Sequence, residues 1–160
     1  MNEASIWKIL HTVPDPEIPV INVVDLGIIR QIIIQGEQLE IQATPTYSGC
    51  PATDVIKESI METLKANGVK NLVFKYLLDP PWTTDWISDE GRVKLREYGI
   101  AIKERGSIDK KSLFSDEKDV ECPQCQSLDT KMISLHGSTP CKSLYQCKSC
   151  KEPFDYFKCH

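Results

Sequence analysis

Six of the seven cysteines fall between Cys122 and Cys159, and four of them form two short pairs, Cys122-Pro-Gln-Cys125 and Cys147-Lys-Ser-Cys150, with 21 residues between. A tight turn brings two sulfurs to one side, and two such turns complete a thiolate tetrahedron with no open position, the chemistry of a structural zinc site. The segment is too short to fold on an apolar core, so zinc ligation by Cys122, Cys125, Cys147 and Cys150 is expected to supply much of its folding free energy. Cys141 and Cys159 stand apart from this set. Strands expected at Ser143–Gln146 and Phe154–Lys158 carry them away from the second pair, by roughly 20 Å and 30 Å at about 3.3 Å per residue. They either remain as small unpaired fillers, the commoner fate of a free cysteine, or form a second thiol site with His136 or His160. Cys141, Cys147 and Cys150 miss the C-x4-C-x2-C run of plant-type ferredoxins by one residue.

Cys50 lies in Thr44-Pro-Thr-Tyr-Ser-Gly-Cys50-Pro, immediately before an expected helix. Unpaired amides and the helix dipole there favour a thiolate, which is both nucleophile and metal ligand; the alternative is a small buried filler. A second unusual segment, Asp79-Pro-Pro-Trp82-Thr-Thr-Asp85-Trp86, is expected to face it. Trp82 and Trp86 either close a core or meet a partner, and Asp15, Glu17, Asp79 and Asp85 either join a polar edge or terminate elements. A thiol enzyme is the weaker reading of Cys50, because His11 precedes the first loop and His136 and His160 belong to the cysteine-rich tail, leaving no base nearby. The chain has no Glu-x-x-His pair and therefore no carboxylate di-iron centre of its own.

The elements that must hold these segments follow from apolar spacing. Ile6, Ile9, Leu10 and Val13 predict a helix stopped by Pro14 and Pro16, with Asp15–Pro19 an extended loop. The β-branched run Ile28–Gln35, a turn at Gly36, and the alternation of Leu39, Ile41 and Ala43 predict a hairpin. Pro51 suits the first position of a helix whose face is Ala52, Val55, Ile56, Ile60 and Leu64, ending at Asn67-Gly68. Leu72–Leu78 is the next strand, giving a right-handed crossover with parallel strands if the two share a sheet. Ser88 caps a last helix running to Gly99, with Asp89 and Glu90 in its first turn. The fold class is α+β, a small mixed sheet with flanking helices followed by a zinc ribbon. Both unusual segments start at the carboxyl ends of the parallel strands, where ligands gather in such sheets. The expected organisation is a domain over 1–102, a polar linker over 103–120 and the ribbon over 121–160.

The formal charge of −4 gives no general reason for a nucleic-acid or anionic-membrane partner. In the tail, Lys131, Lys142, Lys148, Lys151 and Lys158 are nearly offset by Glu121, Asp129, Glu152 and Asp155, so a nucleic-acid-binding ribbon is disfavoured. No apolar run is long enough to span a bilayer, and Met1–Leu10 lacks the layout of a signal peptide. A cytoplasmic location is expected, where clustered cysteines bind metal rather than pair as disulfides.

Asp15-Pro-Glu-Ile-Pro19, Asp25-Leu-Gly27 and Thr44-Pro-Thr-Tyr-Ser-Gly-Cys50-Pro, in that order, resemble the metal-sulfur cluster assembly factors over Ser5 to Ile102. With Pro80-Pro-Trp-Thr-Thr-Asp-Trp-Ile-Ser88 and the cysteine-rich tail, the chain is similar over nearly its whole length to the accessory D subunits of phenylacetyl-CoA epoxidase systems. The resemblance implies a role in delivering or assembling iron–sulfur clusters, with the family's cysteine at Cys50 and a transient iron or cluster there. Asp15, Glu17 and Asp25 fall on family positions, and Thr44, Ser48, Trp82 and Asp85 are the other candidate functional residues of the loops. The implied partners are the di-iron oxygenase and iron–sulfur reductase subunits of aerobic phenylacetate catabolism. The implied role is maturation of one of their metal centres rather than catalysis; a homodimer is also compatible. The alternative is a general cluster-assembly factor not dedicated to the oxygenase.

Overall fold

Asn2 opens the first helix, α1 (Glu3–Leu10), by accepting the Ser5 N–H on its Oδ1 at 2.8 Å, and Ile6 and Leu10 form its buried face. The computed structural model describes residues 1–46, 52–103, 120–139 and 142–157. Beyond α1 it contains β1 (Ile29–Gln35), β2 (Gln38–Ala43), α2 (Thr53–Ala66), β3 (Asn71–Tyr76), a short 3₁₀ turn (Thr84–Trp86), α3 (Asp89–Glu97) and β4 (Ile100–Ala101). Three further strands follow, β5 (Thr130–Ser134), β6 (Lys142–Cys147) and β7 (Pro153–Phe157). The chain divides into two compact units, Met1–Gly91 and Arg92 onward.

In the first unit, β1 and β2 pair antiparallel about Gly36, and β2 and β3 pair parallel across α2, giving the order β1-β2-β3. The registers Ile32↔Ile41 and Ile41↔Phe74 line up one face, because side chains directly opposite each other share a side of the sheet. Leu39, Ile41 and Ala43 on that face are buried, as are Ile56, Ile60 and Leu64 of α2. Asn67 and Gly68, at φ +93°, end α2. The hairpin and the parallel crossover agree with the apolar pattern.

Two details differ from it. α1 stops at Leu10, where the Thr12 hydroxyl donates to the Ile9 carbonyl at 2.7 Å, although Val13 is still buried. The Asp15–Pro19 stretch is not extended. Asp15 Oδ1 accepts the N–H groups of Glu17 and Ile18, both at 2.8 Å, so its carboxylate stands in for a backbone acceptor and curls the chain. Asp15 N–H then donates to Ile21 O, and Val23 N–H to Val13 O, folding the loop back on itself.

A buried turn at Asp25–Ile28 joins the distant parts of this unit. Ser88 N–H donates to Asp25 O at 2.8 Å, Trp82 Nε1–H to Leu26 O at 2.9 Å, and Thr44 N–H to Ile28 O at 2.9 Å. Gly27 has φ +78°, and a Cβ there would come within 2.4 Å of the Trp86 carbonyl oxygen. Only glycine fits both the conformation and the space.

The second unit is a four-stranded sheet in the order β4-β7-β6-β5, antiparallel except for the parallel β4–β7 pair. Ile100–Ala101, inside the span expected for the first domain, is thus an edge strand of the second sheet. β5 was not anticipated, since the adjacent apolar residues Met132 and Ile133 break the alternation that marks a strand; a register shift between Met132 and Ser134 interrupts its ladder. Ala101, Val120, Tyr145, Phe154 and Tyr156 form the core with Cys122 and Cys147. Of the expected linker only Lys103 and Val120 are described, and Val120 is buried.

All three tryptophans, Trp7, Trp82 and Trp86, lie in the first unit, so their fluorescence reports on it. Gly27→Ala is expected to lower its stability by roughly 3 kcal/mol, combining left-handed strain with overpacking. Gly36→Ala, at φ +60° with nothing near its Cβ, should cost about 1 kcal/mol. Urea unfolding followed by tryptophan emission checks both.

Candidate metal centre

The two cysteine pairs of the second unit adopt one backbone pattern. Cys122 N–H donates to Ser127 O at 2.9 Å and Cys147 N–H to Glu152 O at 3.0 Å. The residue after each second cysteine has a positive φ, 64° at Gln126 and 69° at Lys151. Each chain therefore reverses tightly and turns its two sulfurs to the same side. The turns are also tied together: the Ser127 and Ser149 hydroxyls lie 2.9 Å apart, Lys148 N–H donates to Asp129 O at 2.8 Å, and the Lys148 ammonium is 3.6 Å from the Asp129 carboxylate.

All four sulfurs lie within 4.8 Å of one another, with Cys122 and Cys150 Sγ at 3.7 Å and Cys125 and Cys147 Sγ at 3.5 Å. All four cysteines are free. A tetrahedron with metal–sulfur bonds of about 2.3 Å has sulfur–sulfur edges of about 3.8 Å, so the geometry and soft donor set fit a tetrahedral ion. Cys122 and Cys147 are fully buried, Cys150 is half-buried and Cys125 is exposed.

The environment separates two of the thiols. The backbone N–H of Cys150, 3.4 Å from Cys147 Sγ, outweighs burial and with the Ser149 amide brings the Cys147 thiol down to about 6. At Cys150 the Glu152 amide favours the thiolate. Burial and the sulfurs of Cys125, Cys147 and Cys122 overcome that effect and push the thiol up to about 12. Neighbouring sulfurs oppose one another's ionisation, and a cation at their centre reverses that opposition.

The remaining candidates from the sequence separate by location. Asp15 is buried and engaged with the Glu17 and Ile18 amides; Glu17 is half-buried. Asp25, 4 % exposed, accepts the Ser88 hydroxyl on Oδ1 at 2.8 Å and an Asn22 Nδ2–H on Oδ2 at 2.7 Å. Ser88 Oγ in turn accepts the Gly91 N–H at 3.0 Å, capping α3 as expected. Thr44 is buried at the end of β2, and Asp85 is exposed. Trp82 sits in the interior at 2 % exposure rather than facing outward, because its indole N–H completes the Leu26 carbonyl. Trp86 is half-buried beneath Arg30, whose guanidinium carbon lies 3.6 Å from the ring centroid. Nothing in the sequence pattern had pointed to Arg30. His136 is exposed, and Ser48, Cys50, Pro51, Cys141, Cys159 and His160 lie outside the described residues.

A sheet with a parallel crossover followed by a four-cysteine ribbon defines a two-part class. Residues 3–71 match the iron-sulfur cluster assembly protein family, and residues 106–158 match the PaaD zinc beta ribbon domain. Among solved structures, a domain of unknown function, DUF59, from Bacillus anthracis aligns with a TM-score of 0.55 and 25 % identity, covering 58 % of this chain and 90 % of that one. A conserved hypothetical protein from Thermotoga maritima aligns with a TM-score of 0.52 and 30 % identity, covering 59 % of this chain and 94 % of that one. An Fe-S protein maturation auxiliary factor of Porphyromonas gingivalis is 37 % identical over 95 residues, 58 % of this chain and 90 % of the relative. The D subunit of the system named "Putative 1,2-phenylacetyl-CoA epoxidase" in Escherichia coli (strain K12) is 47 % identical over 154 residues, 96 % of this chain and 91 % of the relative. The chain belongs to this family of phenylacetyl-CoA epoxidase D subunits. Among the described residues no helix is long and apolar enough to cross a membrane.

Gln126→Gly and Lys151→Gly should each stabilise the ribbon by about 0.5 to 1 kcal/mol, since glycine relieves left-handed strain at a smaller entropic cost. Denaturation followed by tyrosine emission or circular dichroism checks the sign. A loss of stability would mean that the Gln126 and Lys151 side chains hold the turns.

Proposed function

We propose that this chain is an accessory subunit that matures a metal centre of a phenylacetyl-CoA epoxidase, with Cys50 as the metal-handling thiol and a structural zinc held by Cys122, Cys125, Cys147 and Cys150. The observation that carries this reading is the 47 % identity over 154 residues, which runs through both the assembly-type part and the ribbon. An assembly domain alone supports cluster handling; the chain's continuous likeness to an epoxidase subunit supports directing that handling to the oxygenase. The other subunits of the epoxidase are then its partners.

Support for Cys50 comes from the motif Thr44-Pro-Thr-Tyr-Ser-Gly-Cys50-Pro and from its place in the chain, between the end of β2 at Ala43 and the start of α2 at Thr53. The N-cap of α2, Ala52, makes no side-chain hydrogen bond, which leaves amides of the first turn to other acceptors. A second reading, cluster assembly not dedicated to the oxygenase, is favoured by the likeness of the first part alone to the Porphyromonas gingivalis maturation factor.

Purified protein is expected to hold about one zinc per chain and no visible chromophore, because a closed four-thiolate site suits a redox-inert ion. Metal analysis with an absorption spectrum tests it, and stoichiometric iron with charge-transfer bands would reassign the site. Cys122→Ser should unfold the ribbon while the tryptophan-detected transition persists; a single concerted loss would show that both units share one core.

In a strain lacking the native gene, Cys50→Ser should sharply lower epoxidase activity and the iron and sulfide content of its components, with zinc and thermal stability of the variant little changed. Full activity would reject the metal-handling thiol. Equal losses in unrelated iron–sulfur enzymes would favour the general assembly factor.

A further inference from the structure

The four cysteines of the ribbon are not equivalent toward solvent. Cys122 and Cys147 are 0 % exposed and Cys150 is half-buried, whereas Cys125 is exposed. Around Cys125 the first turn carries Pro123, Gln124 and Gln126, with both glutamines exposed. The neighbour of Cys125 at 3.5 Å is Cys147, on the other turn, and the second close pair, Cys122 and Cys150, is also cross-turn at 3.7 Å. A reagent from solvent therefore meets one cysteine first, and its sulfur already abuts a partner from the other turn.

We propose that Cys125 is a redox modification site through which hydrogen peroxide opens the ribbon, its sulfur becoming joined to Cys147. This rests on the reading of the four sulfurs as a metal centre. The Cys125 thiolate attacks one peroxide oxygen; an S–O bond forms, the O–O bond breaks and hydroxide leaves. The Cys147 thiolate then attacks the sulfenic sulfur, forming the S–S bond and releasing the second hydroxide. The two thiolates together give up the two electrons that reduce one peroxide to two hydroxides.

Any disulfide among the four leaves two thiolates, too few for a closed tetrahedral site. A Cys125–Cys147 bond leaves one of them on each turn, Cys122 and Cys150, so neither turn keeps a chelating pair. Cys122 and Cys147 also belong to the ribbon's core, so loss of the ion loosens the packing of Val120, Tyr145 and Phe154 around them. The exposed position thus couples peroxide outside to the folding of the whole ribbon.

The test uses the full chain, with its metal content measured first and hydrogen peroxide then added in substoichiometric steps. A sulfenic-acid trap, alkylation of the remaining thiols and peptide mapping follow each cysteine separately, while a chromophoric chelator reads the released metal. Among the four ribbon cysteines, the trap should land first on Cys125. The first disulfide should join Cys125 to Cys147, with one metal released per disulfide. First modification at Cys122, Cys147 or Cys150, a first disulfide within one turn, or a Cys125–Cys147 bond formed with the metal retained would each overturn the inference. Cys125→His keeps four donors and should slow peroxide-driven release severalfold; release as fast as in the native chain would also overturn it. If this variant fails to bind metal, mapping of the native chain decides alone. A metal-free untreated chain would remove the metal-centre reading itself, an outcome separate from all of these.

Discussion

The carbonyl oxygens of Asp25, Leu26 and Ile28 sit in the interior, and a buried carbonyl without a donor costs about as much as a lost hydrogen bond. Their donors come from far along the chain: Ser88, Trp82 and Thr44. This requirement fixes where three loops of the first unit must lie. Gly27 stands within the same turn against the Trp86 backbone, and Asp25 adds its carboxylate to the Ser88 hydroxyl that starts α3. The Asp25-Leu-Gly27 and Pro80-Pro-Trp82 motifs are thus two halves of one structural contact. Their chemistry is to hold the carboxyl edge of the parallel strands in place, while the candidate thiol belongs to the loop that leaves β2 at that edge.

The second unit depends on a different balance. Its core is small, and two of its buried members are cysteines whose sulfurs crowd within 4.8 Å of two more. Without a cation, ionising any one of these thiols raises the cost of ionising the rest, as the opposite displacements of Cys147 and Cys150 illustrate. Zinc binding would turn that repulsion into attraction and join the two turns, the second of which leaves β6 at Cys147, so ligation and folding become one equilibrium.

Periodicity was legible wherever burial follows it: β1, β2, α2 and β3 lie within a residue or two of the positions that the apolar spacing predicts. It failed where a single side chain redirects the backbone. Asp15 curls an otherwise extended loop through two amides, and a hydroxyl at Thr12 helps finish α1 before the apolar pattern ends. The two-residue strand β4 is too short to carry any period, and its parallel partner is more than fifty residues away in the chain. Arg30 was invisible because an exposed arginine in a strand has no pattern; only the fold slides Trp86 beneath it.

Residue type and spacing by themselves determined the four-cysteine set, the crossover and the composite family motif, since each is a local rule: two ligands per tight turn, alternation in strands, a fixed order of special loops. Tertiary structure alone decided which of those residues meet. It buried Trp82 to satisfy Leu26, showed that Gln126 and Lys151 adopt the left-handed conformation usually left to glycine, and ranked the four cysteines from fully buried to exposed. Those properties depend on neighbours brought together across long stretches of chain, and no local pattern of residues encodes how much solvent a cysteine sees once they have met.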